Sequence, residues 1–220
     1  MVEVVVVHQG LPVVVDPLMA EPNGHLPVHL HLPRRTGSHQ LTLLLRTGNH
    51  QQAQHLPTGS PLLQINNLQI PHSQVVVIYT EWNEPIIHEL RQGVREIMNL
   101  FPAIQLHEIA VPGCVEIPFA IKQHAAHHHK TAAYIALGCV IKGDTPHFEY
   151  VCQSVTQGIT QLNVTLNSPV TFGILTVLNE QQAYERLGGV HGHKGKEAAI
   201  TTLKMIHLNN LFLNSDTIPL

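Results

Sequence analysis

The sequence predicts a three-layer α/β fold, a four-stranded and mostly parallel sheet covered by helices on both faces. Three observations carry this. Beyond residue 74, short apolar runs rich in β-branched residues recur, as expected for strands buried on both sides. Segments with helical periodicity separate them, and alternating strands and helices imply parallel crossover units. Each run ends in a loop of Gly, Pro and polar residues, the end of such a sheet at which ligands bind.

The first run is VVVIY (Val75 to Tyr79), followed by the loop TEWNEP. Pro85 suits the first helical position, and Ile86, Ile87, Leu90, Val94, Ile97 and Met98 recur with the helical period. A second strand is expected over 106–111, with Pro112 and Gly113 turning the chain. Residues 116–128 read as a helix, and 132–137 (AAYIAL) as the third strand. The stretch from Gly138 to Glu149, GCVIKGDTPHFE, then reads as a tight loop opening a long helix over 147–166. A fourth strand covers 170–176 (VTFGILT), and helices over 180–187 and 194–213 close the chain.

Residues 1–73 differ in character, and the domain is expected to begin at residue 74. No lysine occurs in that stretch and no acidic residue lies between Glu21 and Glu81. MVEVVVVH and LTLLL (Leu41 to Leu45) could be strands, each without a clear partner. Pro12, Pro17, Pro22, Pro27 and Pro33 break any long element. The segment reads as an irregular or disordered extension. Its scarcity of acid is a weak transit-peptide feature without signal-peptide architecture, and a start placed too far upstream explains it equally well.

Composition excludes several classes. A formal net charge of −3 provides no basic field for nucleic acid. No apolar run reaches the roughly 18–20 residues that span a bilayer. Cys114, Cys139 and Cys152 match neither a metal spacing nor an even-numbered disulfide framework, so reduced thiols in the cytoplasm are expected. The triplet His127 to His129 could suggest a metal, but it falls at a helix end, where histidine suits the carbonyl end of the dipole; no metal site is expected.

Chemistry-bearing residues gather in the loops. In the central stretch Gly143 allows close approach of a ligand, and the N–H groups opening the next helix point into the same space. Lys142 adds charge, Thr145 a hydroxyl, and His147 a side chain of the kind that exchanges protons near neutral pH. A plain strand-to-helix turn fits as well, with Asp144 or Thr145 as N-cap and Pro146 at the first helical position. Trp82, the single tryptophan, either stacks on a flat heterocycle beside Asn83 or packs on a neighbouring subunit. Glu116 either accepts hydrogen bonds from hydroxyls or is simply an acid favoured at a helix start. Arg186, ahead of Gly188 and Gly189, and Lys194 suit a phosphate, or are solvated cations. Together these loops suggest a site for an anionic small molecule, and the residues alone take the reading no further than a flavodoxin-like domain binding a phosphorylated ligand.

Four blocks go further. VPGCVEIPFAIK, ALGCVIKGDTPHFEYVC, VTFGILT and ERLGGVHGHKG resemble, in order and separation, the signature blocks of the lumazine synthase family, over about residues 74–213. The resemblance implies condensation of 5-amino-6-ribitylaminouracil with 3,4-dihydroxy-2-butanone 4-phosphate, without a cofactor, through a Schiff base, loss of phosphate and ring closure. It also implies site residues. Trp82, with Asn83 beside it, would stack on the pyrimidine, and Cys114, Val115 and Glu116 would line the ribityl and ring pocket. Cys139, Val140 and Ile141 would hold the pyrimidine edge. Gly143, Asp144 and Thr145 would bind the phosphate together with Arg186, and His147 would shuttle protons. Phe172 would reach the adjacent subunit's pocket, and Lys194 would contribute from outside.

The sequence also departs from the family pattern. Val115 replaces a frequent aromatic, Val190 a common lysine and His193 a frequent asparagine. The family's short arm, which pairs with a neighbour's sheet, would fall near residues 62–70. The resemblance further implies a pentamer, with a sixty-subunit icosahedral shell permitted by the short link from Gly188 to Gly195, and an association with riboflavin synthase. The rival from another class is a non-catalytic shell protein that binds pyrimidine or flavin, against which His147 and Arg186 stand. A second rival gives the histidine-rich extension a metal-binding or targeting role.

Overall fold

The computed structural model of the chain describes the backbone at residues 4–8, 11–15, 41–47, 50–56, 65 and 68–214, and side chains at 65 and 68–214. Backbone contacts divide it into two units, residues 1–64 and 65–220. In the first, strands β1 (Val4–His8), β2 (Leu11–Val15), β3 (Leu41–Thr47) and β4 (His50–Leu56) form an antiparallel sheet of order β2-β1-β3-β4. The two strands suggested by the sequence, without partners then, pair with each other: Val4 lies opposite Leu45 and Val6 opposite Leu43. Readings of the stretches between these strands, and most of the proposed arm at 62–70, lie outside the described residues.

The second unit holds the fold that the sequence predicts. Strands β5 (Ser73–Thr80), β6 (Ile104–Val111), β7 (Thr131–Ile141) and β8 (Val170–Val177) form a parallel sheet of order β6-β5-β7-β8. Central strands of a parallel sheet are covered on both faces and must be apolar throughout. Val75 to Ile78 in β5 and Ala133 to Leu137 in β7 are fully buried. Helices α2 (Ile117–His127) and α3 (His147–Thr165) cover one face, where Ile117, Ile121, Val155, Ile159 and Leu162 meet Val76, Ile78, Tyr134 and Ala136. Helices α1 (Glu84–Met98) and α5 (Lys194–Asn214) pack on β7 and on each other. All six apolar positions expected to face inward on α1 are buried. Gly195 sits so close to α1 that a Cβ there would stand 2.1 Å from the Leu90 carbonyl oxygen.

Three local expectations are corrected. Strand β7 does not stop at Leu137; it continues through Ile141, because Gly138 to Ile141 pair in register with Ile174 to Val177 of β8. Cys139, Val140 and Ile141 therefore stand on a strand, and the loop is short. Pro146, not Asp144 or Thr145, is the N-cap of α3, with no side-chain cap. The helix expected over 180–187 ends early: α4 is Glu180–Tyr184, capped by Asn179 Oδ1 accepting from the Gln182 N–H. A hairpin, β9 (Leu187–Gly189) and β10 (Gly192–His193), follows. Gly188 (φ 112°) and Gly192 (φ 77°) take left-handed backbone that only glycine adopts readily.

An ion-pair cluster ties α1 to the edge strand β6. The Glu108 carboxylate accepts from Arg91 Nη2 at 2.6 Å, from Arg95 Nε at 2.9 Å and from Arg95 Nη2, while Arg91 lies 3.8 Å over the Tyr79 ring. Burial alone would raise the Glu108 pKa, but the hydrogen bonds from Arg95 and Arg91 outweigh it and hold the carboxyl below its usual value. A depressed carboxyl stabilises the fold above the unfolded pKa, and that contribution is lost as pH falls through the folded value. Glu108→Gln is expected to lower unfolding free energy at pH 7 by about 2 kcal/mol, the scale of hydrogen bonds to charged groups. The difference from the parent protein should shrink as pH falls below ~4.3 in denaturant titrations; a constant difference down to pH 2 would refute the linkage.

Candidate active site

The carboxyl ends of the four parallel strands lie along one edge of the second unit, and the loops leaving them carry the candidate residues in two groups. The first surrounds the ends of β5, β6 and β7. Trp82 leaves β5 largely exposed, at 73%. Asn83 follows in left-handed backbone (φ 58°) and donates from Nδ2 to the Cys139 carbonyl at 3.0 Å. That bond crosses from the β5 loop to β7 and holds the tryptophan loop against the end of the central strand. Asparagine is among the few residues that take this backbone readily, which explains its place before Pro85.

Beyond β6 the chain turns through Gly113 into a 3-10 turn, Cys114–Glu116, so Glu116 precedes α2 rather than starting it. A Cβ on Gly113 would stand 2.9 Å from Glu116 Oε2 and 3.9 Å from Trp82 Cδ1. The carboxylate and the indole edge thus converge over that glycine, leaving a flat face and a hydrogen-bond acceptor side by side. Val115 is exposed and Cys114 is buried, its Sγ 2.5 Å from where a Cβ on Gly138 would stand. Gly138 is glycine because the Cys114 sulfur occupies its side-chain position.

The β7 loop is open to solvent. Lys142 N–H donates to the Val177 carbonyl at 2.9 Å, extending the β7–β8 ladder, while its Nζ pairs with Glu149 at 3.3 Å. Gly143, Asp144, Thr145 and His147 are exposed, and a Cβ on Gly143 would meet nothing. These residues surround the start of the 19-residue α3, where backbone N–H groups and the helix dipole favour an anion.

The second group lies at the β8 edge. Arg186 Nη2 donates to Glu197 Oε2 at 2.7 Å, and Lys194 Nζ stands 4.0 Å from the same oxygen. The Lys194 N–H donates to the Arg186 carbonyl at 2.8 Å, so the hairpin brings the two cations together. Arg186 and Lys194 line a cleft of about 420 Å³ with Thr176, Val177, Gln182 and His191. Phe172 and Lys194 line a neighbouring cleft of about 390 Å³ with Glu197 and Met205. Neither cleft includes Trp82, Glu116 or His147. The candidate residues thus fall into two groups: an aromatic–carboxylate–histidine set and a cationic pair. The hairpin and the Glu197 partnership escaped the sequence reading. The glycines at 188, 189 and 192 were their signal.

Two buried thiols border the first half-site. Burial pushes Cys114 up to about 12, with smaller contributions from Cys139 and Cys152 and an opposing backbone hydrogen bond from Cys139. Burial likewise pushes Cys139 up to about 11. Such thiols are apolar wall rather than nucleophile. Iodoacetamide at pH 8 is expected to label half-buried Cys152 first and to spare Cys114 and Cys139 until the chain is unfolded, as read by peptide mass spectrometry. Labelling of Cys114 in the folded protein would contradict this. Among the described residues, no group of three or more His, Cys, Asp or Glu side chains is placed to hold a metal ion.

Comparison with known proteins places the second unit's sequence in one family. The family model described as 6,7-dimethyl-8-ribityllumazine synthase matches residues 72–210. The 6,7-dimethyl-8-ribityllumazine synthase of Porphyromonas gingivalis is 45% identical over 141 residues, covering 63% of this chain and 86% of its own. That of Cytophaga hutchinsonii is 43% identical over 132 residues, covering 59% and 82%. That of Kineococcus radiotolerans is 38% identical over 150 residues, covering 67% and 90%.

Proposed function

We propose a catalytic site shared between copies from one premise: the chain belongs to the 6,7-dimethyl-8-ribityllumazine synthase family. It is a transferase that condenses 5-amino-6-(D-ribitylamino)uracil with 3,4-dihydroxy-2-butanone 4-phosphate into 6,7-dimethyl-8-ribityllumazine, the penultimate step of riboflavin biosynthesis. The reaction balances without a redox partner. The pyrimidine amine attacks the ketone and water leaves; phosphate is then eliminated; the ribitylamino nitrogen closes the ring and a second water leaves.

The observation that carries the shared site is the separation of the two half-sites. In our reading Trp82 stacks on the pyrimidine, and Asn83 holds that loop through Cys139. Glu116 accepts from ribityl hydroxyls. Cys114 and Val115 form the wall, while the backbone of Cys139, Val140 and Ile141 meets the pyrimidine edge. Gly143, Asp144, Thr145 and the start of α3 receive the phosphate, and His147 beside them moves protons during imine formation and elimination. Phe172, Arg186 and Lys194 come from the adjacent copy. Arg186 and Lys194 share one carboxylate, Glu197, which leaves a net positive charge to meet the leaving phosphate. Much of the rate comes from holding two substrates in register.

Two different half-sites on one chain call for a heterologous interface, which forms a ring when the rotation between copies closes. We assign that ring as a pentamer. The tight β9–β10 hairpin leaves the α4–α5 junction short, consistent with the sixty-subunit icosahedral shell as its larger form. Our reading also includes an association with riboflavin synthase, which consumes the product, and a cytoplasmic location, in keeping with three free thiols.

Mixing the protein with both substrates should give lumazine absorbance and phosphate release well above the uncatalysed rate. No turnover with tight pyrimidine or flavin binding would point instead to a non-catalytic relative. His147→Ala is expected to lower kcat roughly 100-fold with pyrimidine binding largely retained, the usual scale of general acid–base catalysis. Arg186→Ala should raise KM for the butanone phosphate more than KM for the pyrimidine. An unchanged rate removes His147 from the mechanism, and equal KM effects remove Arg186 from the phosphate.

A further inference from the structure

One contact between the β9–β10 hairpin and α1 is unusual. His193, the last residue of β10, lays its ring against Gly93 in the middle of α1. A Cβ on Gly93 would stand 2.2 Å from His193 Cε1, 2.7 Å from Nδ1 and 2.9 Å from Nε2. On its other side, the ring's Cδ2 lies 3.8 Å from where a Cβ on Gly188 would stand. The imidazole therefore fills a slot between a helix glycine and a hairpin glycine. Its Nδ1 is buried without a hydrogen-bond partner among the described residues. A buried nitrogen left unpaired costs stability, so the ring's flat shape is what the contact uses.

The neighbours of His193 are the cations of the second half-site. Lys194 follows it directly, and the Lys194 N–H donates to the Arg186 carbonyl. Leu187, next to Arg186, lies opposite His193 in the hairpin. Burial pulls the imidazole below its usual pKa, aided by Lys196 and opposed by Glu96 and Glu89. The ring thus sits in its slot uncharged at neutral pH. We propose that His193 is a positioning residue: wedged between α1 and the hairpin, its ring sets where Arg186 and Lys194 stand when the substrate phosphate arrives. The inference rests on the assignment of that phosphate to Arg186 and Lys194.

Steady-state kinetics on the full-length assembled protein test it with four variants. His193→Ala is expected to raise KM for the butanone phosphate about tenfold, since small misplacements of a binding group cost this much or more. KM for the pyrimidine and kcat should stay within about twofold. His193→Asn, a flat side chain and the family's frequent choice, should restore most of the phosphate KM. Gly93→Ala keeps the histidine but fills its slot and should reproduce the His193→Ala effect. Thermal unfolding checks that each variant is folded, and Gly93→Ala keeps the test open if His193→Ala is not. Equal changes in both KM values, or a loss of kcat alone, would overturn the positioning role. If Arg186→Ala shifts the phosphate KM selectively and neither His193→Ala nor Gly93→Ala does, the inference fails and the phosphate assignment stands. If Arg186→Ala also shifts nothing selectively, the phosphate assignment has failed, and the inference falls with it.

Discussion

Strand β7 is buried along nearly its whole length, and the rest of the second unit keeps it so. A strand apolar on both sides needs cover on both sides, which α1 and α5 supply on one face and α2 and α3 on the other. Its backbone groups are spent on β5 and β8 until its last residues. Only at its carboxyl end does it emerge into loops that can meet a ligand, which is why every candidate group of the first half-site borders that end. The Asn83 bond to the Cys139 carbonyl joins the tryptophan loop to this one rigid point.

The division of the site into two half-sites follows from the same geometry. The sheet places β8 at an edge, and α4 and the hairpin follow from that edge. The cationic pair lies at the β8 edge, and the Trp82 indole is largely exposed. In the proposed site a second copy completes both. Within one chain, Glu197 holds Arg186 and Lys194 in place. A dianionic phosphate offers more charge than that carboxylate, so in the proposed site the pair exchanges partners when substrate binds.

Much of this was legible in the sequence, for physical reasons. Buried parallel strands and amphipathic helices leave strong patterns, and VVVIY, AAYIAL and the α1 periodicity located the sheet and its cover. The end of β7 was not legible, because Gly138 looks like a loop residue. It is glycine to admit the Cys114 sulfur, a contact made between residues distant in sequence. The N-cap of α3 was misplaced because Asp144 and Thr145 are good caps by type, yet the chain enters the helix at Pro146 without using them. The hairpin was hidden in a glycine-rich link, where turns leave no periodicity. His193 drew notice only as a departure from a family pattern; its slot on Gly93 exists only in three dimensions.

The most direct test of the shared site is complementation between two damaged chains. On the proposed assignment, His147→Ala lacks the proton shuttle of one half-site, and Arg186→Ala lacks the cation of the other. The two proteins are unfolded together, refolded as mixed assemblies and assayed at limiting butanone phosphate. If the halves meet across an interface, roughly a quarter of the interfaces in a random ring join two intact halves. Activity should then exceed that of either parent refolded alone. Activity no greater than the average of the two parents, in assemblies shown by mass spectrometry to be mixed, would place both residues in one chain's site and contradict the account.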